Sequence, residues 1–286
     1  MEKSSRIVFL FIIPLALFTG YGCEQTINMD LPAYEPKLVV HCLLMPDSLP
    51  QLYLTLSKPY FDQPVENSKT DYVKDALVLM RQDAVVDTLL FSDTVYVGSK
   101  PVTAGKQYDL YLFHDGKEVT GSTYVPSRII PDSLKLSFEP CDEQFPEYLC
   151  PEISAYFADP PGENYYHLDL LFKNAGGDYF RVGDFFDYYI PDSIQDGSKD
   201  HPVKAKFASS LSMQWDSIPD TVNVNVQLWI AEKALADFRS SVVEQTWQSG
   251  PMSEPVKIKS NVTGGLGIFS SYAPSPPQII QVIIPN

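Results

Sequence analysis

Cys23 is the residue whose chemistry the sequence states most directly, because its thiol follows a basic residue, an apolar core and small residues in RIVFLFIIPLALFTGYGC at 6–23. That pattern describes an export signal ending at a lipid-attachment site. The apolar stretch from Ile7 to Phe18 falls short of the roughly 20 residues that a mature helix needs to cross a bilayer, and Pro14 interrupts it. A cleaved signal peptide over 1–22 is expected, with Gly22 as the small residue the lipoprotein peptidase requires and Cys23 as the acylated one. Gly20 stands where a lipobox usually has Leu. Several acyl chains on one cysteine meet the two-signal threshold for lasting attachment, so the mature protein is expected to be membrane-tethered through residues 23–32. The alternative is ordinary secretory cleavage that leaves Cys23 a thiol.

Two further cysteines bracket a short polar loop, CDEQFPEYLC, and in an oxidising compartment Cys141 and Cys150 are expected to close it as a disulfide. Cys42 lies in the apolar run 38–44 and reads as a small buried hydrophobe. The four histidines, His41, His114, His167 and His201, are far apart and fall in different candidate elements, which predicts structural or exposed rings. In DSIQDGSKD at 192–200, Asp192, Asp196 and Gly197 match calcium-loop positions one, five and six. Ile194 and Val203 occupy positions that need oxygen ligands, so an acidic turn is expected. The chain holds no GxSxG, HExxH, paired CxxC, P-loop or GxGxxG after a strand. The expectation is a protein that is not an enzyme and carries no metal and no cofactor.

The segment 176–192, GGDYFRVGDFFDYYIPD, sets six aromatics among four aspartates. One reading is a strand pair with buried rings. The other is an exposed surface on which Tyr179, Phe185, Phe186, Tyr188 and Tyr189 anchor a protein partner or stack on a ligand.

The elements that must position these groups are mostly strands. LVVHCLLM (38–45), QLYLTLS (51–57), ALVLM (76–80) and VVDTLLF (85–91) are aliphatic runs separated by Pro, Asp, Ser and Asn at sandwich-like spacing. In Gln107 to Phe113, Tyr108, Leu110 and Leu112 alternate with polar Gln107 and Asp109, and Asp115-Gly116 then offers a tight hairpin. A small antiparallel sandwich over 33–127 is expected, with Pro126 to Pro131 as linker and a second β-rich domain over 128–286. That second domain draws on LKLSF (134–138), ISAYF (153–157), YYHLDLLF (165–172) and VNVNVQLW (222–229). From Ala231 to Trp247, Leu235, Phe238, Val242 and Val243 recur at helical spacing, and Gly250-Pro251 supplies a stop, which predicts one amphipathic helix packed on a sheet. Aromatics at 13% and 24 prolines agree with short strands and sharp turns. The net charge of −15 argues against nucleic acid, whose phosphates demand a basic surface.

Three separated segments, CEQTINMDLPAYEPKLVVHCLLMPDS after the signal, DPPGENYYHLDL at 159–170 and SNVTGGLGIFSSY at 260–272, together resemble the Bacteroidota lipoprotein family called domain of unknown function 4249. The resemblance runs from Cys23 to about Tyr272. It implies an outer-membrane lipoprotein with an N-terminal immunoglobulin-like sandwich, whose gene commonly neighbours a TonB-dependent receptor. The implied partner is that receptor, with the chain as its accessory in nutrient capture or receptor assembly. It supplies no catalytic residues. Rival readings are a hydrolase acting on surface glycan or peptide, and a structural envelope component. Only Glu24 supplies the acidic character that often directs export to the outer leaflet, so the periplasmic and cell-surface faces both stay open.

In the light of that resemblance, one more pattern suggests chemistry. Every Asp-Ser or Asp-Thr pair precedes an aliphatic residue, at 47, 87, 93, 132, 192, 216 and 220. This is similar to the general O-glycosylation acceptor signal of Bacteroidota, and Ser48, Ser193 and Ser217 are favoured over Thr88, which lies within an apolar run. Asp-Ser and Asp-Thr are also ordinary turn formers, so sandwich architecture alone would produce several such matches.

Overall fold

Alternation along β1 (Leu38–Leu44) buries Leu38, Val40, Cys42 and Leu44 completely, because successive strand side chains point to opposite faces. The computed structural model describes residues 34–59, 71–142, 145–173, 179–182, 189–191, 203–206, 221–248 and 256–283. β1 pairs antiparallel with β2 (Gln51–Leu56), setting Val40 opposite Leu54. β3 (Leu77–Gln82), β4 (Val85–Ser92), β5 (Val95–Val97), β6 (Lys106–His114) and β7 (Lys117–Val125) follow. Three of their connections are two-residue turns that open on an aspartate with positive φ: Asp83 at 53°, Asp93 at 60° and Asp115 at 47°. Aspartate tolerates that left-handed conformation, whose twist matches the flanking strands. The expected hairpin at Asp115-Gly116 is one of them.

The second half contributes β8 (Ser133–Asp142), β9 (Phe145–Tyr156), β10 (Tyr165–Lys173), β11 (Tyr179–Val182), β12 (Ile190–Pro191), β13 (Val203–Lys206) and β14 (Thr221–Ala231). One helix, α1 (Lys233–Trp247), precedes β15 (Leu266–Pro274) and β16 (Gln278–Ile283). The described strands form two sheets. A large one runs β11-β10-β14-β15-β1-β2-β5-β4-β3-β6-β7, with β12 added to β10 and β16 to β14, and a small one runs β13-β9-β8. The architecture is mostly β and sandwich-like, as expected.

Two hydrophobic cores follow the two halves. Leu38, Leu52, Val78, Tyr96, Leu110 and Val125 belong to the first, and Ile153, Tyr166, Leu168, Val224 and Leu228 to the second. The halves are not independent along the chain, however. Pro36–Asn286 form one compact unit, and β15, from the far end of the sequence, pairs in parallel with β1. It places Phe269 in the first core, Ala273 in the second and Ile268 in a third cluster beneath α1. A division at residue 127 therefore assigns β1 to β7 to one body but omits the C-terminal strand that completes its core.

Within GGLGIF at 264–269, Leu266 to Phe269 belong to strand β15. Two glycines allow the close approach. Gly264 has φ +81°, and a Cβ there would lie 2.0 Å from the Glu118 carbonyl oxygen. At Gly267, φ +102°, it would lie 2.0 Å from that of Val40.

The helix begins two residues later than expected and packs against β15. Leu235, Ala236, Ser241 and Val243 are buried, and Phe238 packs on the same cluster. Val242, expected in the apolar stripe, is instead exposed. Its neighbour Ser241 takes the inward position, where its hydroxyl accepts from Lys259 N at 2.9 Å. A polar group is tolerated there because it is satisfied. The expected stop at Gly250-Pro251 lies outside the described residues.

Candidate functional site

The sequence-predicted site residues do not converge. Cys23, Phe185, Phe186, Tyr188, Ser193, Ser217, His201 and the 192–200 turn lie outside the described residues. Tyr179 is placed in β11, opposite Lys173 of β10, without a described side chain. Tyr189 is described, and it is only 8% exposed. Its ring packs with Tyr165, Ala231, Leu235 and Ile268 and lies 5.6 Å from His167, so this residue is a core aromatic and not a surface anchor. Burying its carbon in the space between α1 and β10 removes it from any partner-facing surface.

Cys150 is disulfide-bonded, and β8 runs antiparallel to β9 so that Glu139 sits opposite Cys150, two residues from Cys141. The Cys141 side chain is outside the described set. Cys42 is free and buried, and burial pushes its thiol far above the ordinary range, as an inert core cysteine requires. The three described histidines occupy separate places. His41 stands between the rings of Tyr53 and Phe238, and lost hydration, then Arg239, hold its pKa below the usual value. His114 meets Asp75 at 3.3 Å, and His167 packs on Tyr189 and Trp229. Among the described residues no group of three or more His, Cys, Asp and Glu side chains could hold a metal ion.

For glycosylation, Ser48 is half-buried, with its amide donating to Met45 O at 3.2 Å and its carbonyl accepting from Val102 N at 2.9 Å. Thr88, set aside for lying in an apolar run, is exposed, because that run is a strand and Thr88 alternates outward from Leu89. Asp47 and Asp93, with φ of 65° and 60°, hold turns, which is the architectural role such pairs can have without any modification.

The surface that stands out was not singled out in the sequence. Register sets Leu77 beside Phe113, Leu79 beside Tyr111 and Thr88, and Arg81 beside Val86 and Asp109. These residues share the outer face of β4-β3-β6-β7, opposite the buried Val78, Met80, Leu89, Leu110 and Leu112. Leu90, on the same face, is 70% exposed, Leu77 46% and Phe113 44%, and Val86 and Tyr111 are exposed too. Isolated exposed apolar residues are common on soluble proteins, whereas a contiguous set on one sheet face is unusual. The alternation that signals each strand was legible, but the outward positions of a half-exposed sheet are ordinarily polar, so this face gave no separate signal.

A groove of about 1370 Å³ borders that face. Leu79, Arg81, Val86, Tyr111 and Ser122 line one side, and Lys233, Asp237 and Phe238 of α1 with Lys257, Lys259 and Asn261 line the other. Its charges are largely matched. Arg81 donates twice to Asp109, at 2.7 and 3.2 Å, and these bonds hold the Asp109 carboxyl below its usual range. Lys259 meets Asp237 at 3.2 Å. Lys233 donates to the Tyr165 hydroxyl at 2.6 Å and to Glu163 at 3.2 Å, and both bonds raise its pKa. Glu232, at the helix N-cap, turns its carboxylate away from the helix to accept from Thr123, from Ser270 at 3.1 Å and from Tyr124 N at 3.4 Å. It thereby ties β7 to β15. The arrangement suits binding through carbon surface with paired charges at its rim.

Fold and surface thus define a mostly β, sandwich-like protein that presents an apolar sheet face beside a broad groove. The chain belongs to the family described as domain of unknown function DUF4249, whose model matches residues 24–276. No curated protein matches it.

Proposed function

We propose that this is an outer-membrane lipoprotein that acts as the accessory partner of a TonB-dependent receptor, anchored by acyl chains on Cys23 and bound to the receptor through the outer face of β4-β3-β6-β7. The observation that carries this reading is the bare apolar set Leu77, Val86, Leu90, Tyr111 and Phe113 on one sheet face. A disulfide at Cys150 supports an oxidising compartment, with Cys141 as its partner. The export signal and tether ahead of β1 support attachment at a membrane, and the resemblance that named the family supports the choice of receptor. No described helix is long and apolar enough to span a bilayer.

The test is copurification from solubilised membranes of the native host. Wild type should bring down a barrel receptor, and Leu90→Asp with Phe113→Asp should lose it while the melting temperature holds. An undiminished complex in that variant would move the interface elsewhere. Recovery of the wild-type chain alone would refute the receptor partnership. Acylation is read separately, by labelling with a palmitate analogue, which Cys23→Ala should abolish.

A further inference from the structure

From Ser260 to Asn286 the chain contains no Asp, Glu, Lys, Arg or His, although 20% of the whole is charged and the net charge is −15. β16, QIIQVI, lies in that stretch. It pairs with β14, from Val226 opposite Gln278 to Thr221 opposite Ile283, and among the described residues no strand pairs with its other edge. An open edge presents unpaired amides and carbonyls that template a further strand, and proteins usually blunt it with charge or proline. Other sheet edges here are blunted or covered: β8 carries Glu139 and Pro140 and β13 carries Lys204, while the outer edge of β7 is closed at Thr120 by a bridge to Thr263. β16 has none of these devices, and its outward Ile279 and Ile283 are 71% and 62% exposed.

The residue pattern selects the occupant. Read outward, β16 presents Ile279, Gln281 and Ile283, which is the same in either direction about Gln281. An antiparallel strand of the same sequence centred there sets Ile279 against Ile283, Gln281 against Gln281, and on the inner face Ile280 against Val282. Cross-strand apolar pairs and amide pairs of this kind favour pairing. Two chains of like net charge also meet best where neither carries any charge.

We propose that β16 is a self-association edge, through which two copies of this chain pair their β16 strands antiparallel about a twofold axis at Gln281. The proposal is independent of the receptor reading and uses a different part of the surface. So short an edge buries less than the ~1,200 Å² of a standard stable interface, so the dimer is weak in dilute solution and forms where copies are concentrated.

The test uses the full chain, exported in its host and oxidised in place. Opposed residues of an antiparallel pair have Cα atoms about 4.5–5.5 Å apart, within disulfide reach. Gln281→Cys should therefore give a covalent species of twice the chain mass as the main crosslinked product, and Thr88→Cys, exposed on the far sheet face, should not. Adding Ile279→Lys and Ile283→Lys to Gln281→Cys sets ammonium groups against one another and should cut the dimer severalfold. Both sites are exposed, so an unchanged melting temperature checks that the fold survives. Absence of the dimer from Gln281→Cys, equal yields at both cysteine sites, an adduct whose mass shows a different polypeptide, or a dimer indifferent to the two lysines would each overturn the proposal.

Discussion

The two ends of the large sheet obey the same alternation and meet different fates. At the β10-β14-β15 end, the side chains pointing away from the second core include Tyr165, Ala231 and Ile268, and α1 with Tyr189 closes over them as a third cluster. At the β4-β3-β6-β7 end, Leu77, Leu90 and Phe113 stand in equivalent outward positions and are bare. Carbon of similar character is core at one end and surface at the other. The difference lies in whether another element arrives to cover it, so an apolar outward residue acquires its role from its cover and not from its type.

Breaking the join between the halves should produce the largest effect. Phe269 is fully buried in the first core but is delivered by β15, so Phe269→Ala should cost about 3–5 kcal/mol, read by chemical denaturation. Cooperative loss of both halves is expected, and a variant in which only β1 to β7 melts would show the halves to be separable. Next comes the contrast between the covered and the bare face. Leu235→Ala, on the buried side of α1, should cost about 2–5 kcal/mol. Leu90→Ala, at the bare end, should stay within about 0.5 kcal/mol. Equal losses would mean that the β4 face is covered in the working protein.

A smaller effect is expected at Glu232. Glu232→Ala removes the acceptor of Thr123, Ser270 and the Tyr124 amide, and should cost about 1–3 kcal/mol in thermal unfolding. Glu232→Gln should recover part of it, since one amide oxygen can still accept. The smallest is the pH response of the groove-side pair. Because Arg81 holds the Asp109 carboxyl below its usual range, the pair's stabilisation is present above the unfolded pKa and fades as pH falls through the lower folded value. Both side chains are more than a third exposed, so screening limits this to less than about 1 kcal/mol. Melting curves of wild type and Arg81→Ala should differ near neutral pH and converge in acid. A constant difference across the range would exclude the ion pair as its source.

Legibility of the sequence stopped where contacts became distant along the chain. β1, β2, β3, β4, β6, β8, β9, β10, β14 and the helix α1 could be read because each announces itself locally, through period-two alternation, a helical stripe or an aspartate turn such as Asp115-Gly116. The family was legible as well, since three ordered segments resemble it and the family model covers 24–276. What local pattern could not state was that Gly264 and Gly267 serve a strand instead of a loop, because the reason lies in carbonyl oxygens of Glu118 and Val40, brought close only by folding. Tyr189 and Phe113 illustrate the same boundary. Both are aromatic residues beside an aliphatic one, Ile190 and Leu112, and that local pattern does not say which ring another element will cover. Folding sets α1 beside Tyr189 and leaves the face bearing Phe113 open, and burial of an aromatic ring depends on that neighbour alone.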